Sequence, residues 1–176
     1  KSYRTINIKL KMIKIGITGS IASGKTTASR ILSANRGPLF SADLVVKKLY
    51  SNKKFKNLVV KKFNLTSHDD LKKKIKAKIL ENKKNIEKLE SLVHPIVRKE
   101  MKKFISLNKK KSIIFLEIPL LIESKLNNFF DRIIFIKANK KIRSRRFRLK
   151  GGDIKFFNLL DKRQLGVTRK VKFCDH

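Results

Sequence analysis

The run Gly19-Ser20-Ile21-Ala22-Ser23-Gly24-Lys25-Thr26 constrains this chain more than any other part of it, because it matches the loop pattern G-x-x-x-x-G-K-[ST] in full. Met12-Ile13-Lys14-Ile15-Gly16-Ile17-Thr18 precedes it as a short apolar stretch of strand type, and Thr27-Ala28-Ser29-Arg30-Ile31-Leu32 follows as a helix-compatible stretch. Strand, loop and helix in that order are the context the pattern requires. Gly19 and Gly24 let successive backbone N–H groups converge on phosphate oxygens, and the positive end of the following helix adds to the same field. The expected ligand is a nucleoside triphosphate, held by Gly19, Ser20, Ile21, Ala22, Ser23, Gly24, Lys25, Thr26 and Thr27. Lys25 is placed to reach the β- and γ-phosphates, and the Thr26 hydroxyl to ligate Mg²⁺.

Length and composition set outer limits. At 176 residues with 41% hydrophobic content, the chain reads as one domain able to fill a core. No apolar run approaches the roughly 18 residues of a membrane span, and the first residues lack a secretory apolar segment. A soluble, cytoplasmic protein without membrane partners is the expectation. The single cysteine, Cys174, allows no internal disulfide and no cysteine zinc cluster, and reads as a passive thiol.

The charge is extreme, 46 Lys+Arg against 13 Asp+Glu for a net of +33. The excess is spread through Lys53-Lys54, Lys61-Lys62, Lys72-Lys73-Lys74, Lys109-Lys110-Lys111 and Arg143 to Arg148, with no single arm and no aromatic-interleaved stripe. It accompanies abundant Ile, Asn and Phe, whose codons are A/T-rich like those of Lys. Compositional bias therefore accounts for much of it, and no specific nucleic acid is expected as a partner. The field still attracts anionic substrates such as ATP.

The elements alternate. Strands are expected over residues 12–18, 38–41, 112–117 and 132–136, with helices between them and a long Lys-rich helical region over about 55–107, broken near 64–67 and at His94-Pro95, with a new helix from Ile96. A basic helix over 139–150, a Gly151-Gly152 hinge and a helix over 153–164 follow. Two-faced apolar strands with intervening helices indicate a parallel sheet covered on both sides. The expected fold is thus an α/β P-loop NTPase-type three-layer α/β/α domain over 12–176. Residues 44–110 would form a helical acceptor-binding insertion and 140–164 a helical lid, while residues 1–11 read as a non-native leader.

Several further residues suit phosphoryl transfer. Asp43 follows the second strand, beside the P-loop strand in this reading, where a carboxylate can orient an acceptor hydroxyl and take its proton; capping the helix from Leu44 is the other role open to it. Glu117 ends an apolar strand as a Walker-B-like acid able to hold Mg²⁺-bound water, or as an ordinary strand-end acid. His94 can bond an acceptor phosphate or serve capping and packing, and Arg98 can assist it or lie on a solvated face. The arginines of the basic helix, next to the glycine hinge, are what a lid closing over a γ-phosphate requires.

The ordered set resembles dephospho-CoA kinases, which phosphorylate the ribose 3′-hydroxyl of dephospho-CoA in the last step of CoA synthesis. The resemblance runs from Met12 to the last residue. It rests on residues 15–27, Ser41-Ala42-Asp43, His94-Pro95-Ile96-Val97, Pro119-Leu120-Leu121-Ile122-Glu123, and on Arg146, Gln164 and Cys174-Asp175 in that order. It implies ATP and dephospho-CoA as substrates with Mg²⁺, catalytic roles for Asp43, Lys25 and Arg146, acceptor contacts from Asp43, His94, Arg98, Pro119 and Leu120, and metal ligation by Thr26 and Glu117. In the family Asp43 is the second acid of an Asp-Ala-Asp motif, whose first acid is here Ser41, and a second lid arginine falls here on Lys150. Members continue past the position of Asp175 with a strand, an Asn-containing loop and a helix, so the resemblance implies a C-terminally truncated copy with a bare sheet edge beside residues 132–136. Two other readings are an acceptor of nucleoside type on another small-molecule P-loop kinase, and a basic nucleic-acid-binding P-loop protein.

Overall fold

The structure is a computed structural model and describes residues 11–176. The leader expected at 1–11 lies, apart from Lys11, outside the described residues. Four short apolar segments form the sheet: β1 (Ile13–Gly19), β2 (Leu39–Ser41), β3 (Ile113–Glu117) and β4 (Arg132–Ile136). All pairings are parallel, in the order β2-β3-β1-β4. This corrects one expectation, since β3 separates β2 from the P-loop strand. The register explains why the site still assembles: Ile17 and Ser41 both stand opposite Glu117, so β2 and β3 end level with each other and β1 continues past them to Gly19, where the P-loop starts. Loops leaving those carboxyl ends share one crevice, as in other open parallel sheets.

Helix α1 (Lys25–Ser33) covers the sheet after the loop. Between β2 and β3 lie α2 (Ala42–Leu49), α3 (Lys53–Phe63), α4 (Leu71–Glu81) and α5 (Asn85–Leu107), and after β4 come α6 (Lys140–Leu149), α7 (Ile154–Arg163) and the short α8 (Val167–Val171). The sequence pattern anticipated the break after Phe63 but placed another at His94-Pro95. Helix α5 instead runs through Pro95 without ending. Proline removes one i→i−4 bond. The carbonyl it leaves unpaired belongs to Ser91, and both Ser91 and Pro95 lie on the exposed side, where water can satisfy it. Val93, Val97 and Met101 meanwhile hold the other face of the helix in the cores.

There are two such cores. One lies on the sheet around Phe40, Met101, Ile114, Leu116, Leu121 and Ile133. The other lies within the helical insertion around Phe55, Val59, Phe63, Ile75, Ile79 and Ile86, with Phe156, Leu159 and Leu160 of α7 against it. Among the described residues no helix is long and apolar enough to cross a membrane. The edge of β4 is partly covered: Phe135 N–H donates to His176 O at 2.8 Å, Asp175 N–H donates to Ile133 O at 2.9 Å, and Ile133 N–H donates to the Asp175 carboxylate at 2.8 Å. The bare edge expected from the sequence is therefore corrected, because the last residues pair along it.

Candidate active site

The loop following β1 turns into α1 at Gly24, which caps the helix at φ 100°, in the left-handed region that glycine adopts without strain. Helix α1 carries no acid in its first turn. Its positive end, which favours anions, therefore has no carboxylate of its own first turn to neutralise it. Lys25 is 7% exposed, and its ammonium donates to Ser20 O at 3.0 Å. Burial lowers the affinity of Lys25 for its proton, while the carboxylates of Asp43 and Glu117 oppose that effect. Ser23, Gly24, Lys25, Thr26, Thr27 and Ala22 line a cleft of about 610 Å³ that Asp43, Arg146 and Lys150 also border.

Glu117 is fully buried at the end of β3, and its Oε1 accepts from the Thr26 hydroxyl at 2.8 Å. Its Oε2 has no partner among the described residues. A buried carboxylate oxygen without a partner is costly unless something else satisfies it. Hard oxygen donors, a hydroxyl beside a carboxylate next to a phosphate-binding loop, suit Mg²⁺, which takes few protein ligands and keeps waters and phosphate oxygens. The residues present fit that ion. No group of three or more His, Cys, Asp or Glu disposed around a metal occurs among the described residues, so the fit is to an ion completed by substrate and water.

Asp43 sits in the first turn of α2, but the cap of that helix is Ser41, whose hydroxyl accepts from Leu44 N–H at 3.4 Å. The capping role considered for Asp43 thus belongs to Ser41, and the Asp43 carboxylate is free for the cleft. The Asp43 side chain is exposed by surface area and borders the cleft and the pocket beside it. Desolvation by the surrounding protein raises its carboxyl above the ordinary value, with Lys25 opposing the shift and Glu117 adding to it. Asp43 borders three cavities at once: the P-loop cleft, a pocket lined by His94, Arg98, Pro119 and Leu120, and a third between the P-loop and α7 lined by Leu160, Arg163 and Gln164.

The second of these cavities has a volume of about 170 Å³ and mostly apolar walls, from Val46, Val93, Val97, Met101 and Ile118. His94 and Arg98 are adjacent turns of the same uninterrupted helix, so the proline between them does not start a new one; they line one wall and Pro119 and Leu120 another. The structure therefore brings together every residue that the sequence nominated for the acceptor side. The Thr18 hydroxyl donates to Pro119 O at 3.1 Å and so ties the end of β1 to that loop.

Sequence reasoning missed the struts that hold the lid. Arg143 is 6% exposed and donates to Asp161 Oδ1 at 2.6 Å, to Ala138 O at 3.1 Å and to Ile21 O of the P-loop at 3.4 Å. Arg146 donates to Ser23 O at 3.0 Å. Gln164 accepts from Ile21 N–H at 2.8 Å. Arg163 forms a two-pronged pair with Glu90 of α5 at 2.6 and 3.3 Å. In the sequence, Arg143 is one of four arginines in six residues, and its burial and its bonds to Asp161, Ala138 and Ile21 separate it from the exposed Arg145 and Arg148. Gly151, between α6 and α7, has φ 77°, which makes the expected hinge a backbone feature that suits glycine.

A family model described as dephospho-CoA kinase matches residues 13–156. The dephospho-CoA kinase of Rickettsia prowazekii is 32% identical over 165 residues, covering 93% of this chain and 86% of the relative, and that of Bartonella quintana is 32% identical over 166 residues, covering 92% and 85%. A crystal structure from Thermus thermophilus superposes with a TM-score of 0.72 at 25% identity, covering 92% of this chain and 85% of the other. The dephospho-CoA kinase from Campylobacter jejuni shares the fold, with a TM-score of 0.60 at 24% identity and the same coverage. A P-loop cleft, a strand-end acid beside its threonine and a second pocket that meets the cleft at one aspartate are thus found in a chain that belongs to the dephospho-CoA kinase family.

Proposed function

We propose that this chain transfers the γ-phosphoryl group of ATP to the ribose 3′-hydroxyl of dephospho-CoA, with Asp43 as the base. The observation that carries this reading is the position of Asp43, on the wall shared by the P-loop cleft and the acceptor pocket. The Asp43 carboxylate takes the hydroxyl proton, the freed oxygen forms its bond to the γ-phosphorus, and the bond from that phosphorus to the bridging oxygen breaks to release ADP. The backbone N–H groups of residues 19–27, with Lys25, hold the phosphates of ATP. Arg146 releases Ser23 O and turns to the charge that develops on the transferred group, while α6 closes the cleft to water. The Thr26 hydroxyl and Glu117 would hold Mg²⁺, which when bound neutralises phosphate charge. His94 and Arg98 hold the acceptor's phosphates, and Pro119 and Leu120 form the floor under its apolar parts.

Ser41 in place of a carboxylate leaves Asp43 with Glu117 as the anion that raises its proton affinity. Lys150 lies in the same cleft as Arg146 and supplies a point charge there rather than a planar fork. The family assignment leaves the nucleoside-acceptor and nucleic-acid readings without an observation in their favour.

The test is incubation of the purified chain with MgATP and dephospho-CoA, read by mass spectrometry for CoA, with Lys25→Ala as control and adenosine as a competing acceptor. CoA from the unmutated chain alone supports the proposal. Phosphorylation of adenosine without CoA formation would overturn it.

A further inference from the structure

Glu123 ends the loop Pro119-Leu120-Leu121-Ile122-Glu123, whose first residues floor the acceptor pocket. Its carboxylate contacts a different part of the molecule. Oε1 accepts from Leu165 N–H at 3.0 Å and lies 2.7 Å from the ammonium of Lys170, which is fully buried. Both partners belong to the segment that follows α7. The residue before Leu165 is Gln164, whose side-chain oxygen accepts from Ile21 N–H in the P-loop at 2.8 Å. A carboxylate on the acceptor loop thereby fixes the peptide that presents Gln164 to the nucleotide loop. Ile21 is gripped on its other side as well, since Arg143 approaches its carbonyl, and the next residue, Ala22, is held at φ 56°.

As a device for stability alone the pair is poorly made. The Lys170 ammonium lacks hydrogen-bond alignment despite its short distance, and Glu123 Oε2 has no partner among the described residues. Buried ion pairs with unsatisfied atoms roughly break even against apolar replacements of the same volume.

We propose that Glu123, with Lys170 as its counter-ion, is a positioning residue for ATP: through Leu165 and Gln164 it sets the shape of the P-loop although it lies on the acceptor loop. This rests on the reading of residues 19–27 as the ATP site and deepens it.

The test is ATP binding by the full chain without acceptor, measured by calorimetry on protein whose folded fraction is fixed by circular dichroism, followed by steady-state kinetics. Glu123→Leu is expected to weaken ATP binding about tenfold while the KM for dephospho-CoA stays within about twofold, and Gln164→Ala is expected to do the same. Because one acts through the other, Glu123→Leu combined with Gln164→Ala should be no worse than the worse single variant. Should Glu123→Leu fail to fold, Glu123→Gln with Lys170→Met removes both charges and keeps an acceptor for Leu165 N–H. That combination should bind ATP within about twofold of the unmutated chain, and so more tightly than Gln164→Ala.

Multiplying defects, a change confined to the KM for dephospho-CoA, or an ATP affinity in the neutral pair as poor as in Gln164→Ala would each overturn the inference. ATP affinity unchanged in both single variants would overturn it alone, whereas an unmutated chain that binds no ATP would overturn the reading of the P-loop together with it.

Discussion

The proposed donor half and the proposed acceptor half of this site are built in opposite ways. The donor half is nine consecutive residues, 19–27, shaped by their own turn and by the helix they start, with Gln164, Arg143 and Arg146 gripping that turn from outside. The acceptor half gathers Asp43, His94, Arg98, Pro119 and Leu120 from three separate parts of the chain, and it has a helical core of its own. A loop defined by local geometry can be recognised from spacing alone. A pocket defined by packing depends on every element that carries a wall, so a lesion far from the chemistry can reach it.

The largest effect should come from separating the halves at the aspartate they share. Asp43→Asn is expected to slow turnover by about 10²- to 10⁴-fold while leaving ATP binding within a few-fold, read by single-turnover kinetics beside calorimetry. Equal loss of both would break the division. Next, Phe55→Ala in the insertion core, where Phe55 is 3% exposed, should cost about 3–5 kcal/mol. Hydrogen exchange should show the loss first in α3–α5, with the amides of β1 and β3 exchanging last; uniform exchange would mean that the two cores unfold as one.

The pH dependence sharpens the contrast without a large change. The base must be ionised, and desolvation raises its carboxyl above the ordinary 3.8, so the acid limb of kcat/KM should lie above that of an unperturbed aspartate. For stability the sign is opposite. A raised folded value means that the protonated form is favoured in the native state, a contribution present at low pH and lost as pH rises through that value. Asp43→Asn should therefore raise the melting temperature at neutral pH while it removes activity. The smallest effect belongs to Ser41→Ala, which deletes a long 3.4 Å cap and should cost about 0.5 kcal/mol by thermal denaturation with ATP binding unaltered.

The same contrast decides what could be read in the sequence. The P-loop, the strands and Glu117 were legible because their signals are periodic or contiguous, and the structure adds the 2.8 Å bond from Thr26 to Glu117 that joins them. The helix through Pro95 was not legible, because the local rule against proline lost to packing on the opposite face of α5. The place of β2 was not legible either, since strand order is a property of the sheet and not of any segment. Ser41 looked like a missing acid and is a helix cap, while Arg143 lies in an ordinary arginine run and the roles of Glu123 and Gln164 could not be read from the motifs that contain them: the contacts of all three are with partners on the order of 20 to 140 positions away.

The grip of Arg163 on Glu90, with Glu87 at 3.8 Å, has one more consequence. It joins α7 to the long helix that walls the acceptor pocket, while α6 is attached to α7 across Gly151. The proposed lid motion is thus confined to α6, which must break the Arg143–Asp161 pair tying it to α7 in order to swing, on a base that the acceptor-side helix holds still. Nucleotide entry and exit are then expected to proceed past a parked acceptor, which would show as random rather than compulsory order of substrate addition in initial-rate patterns.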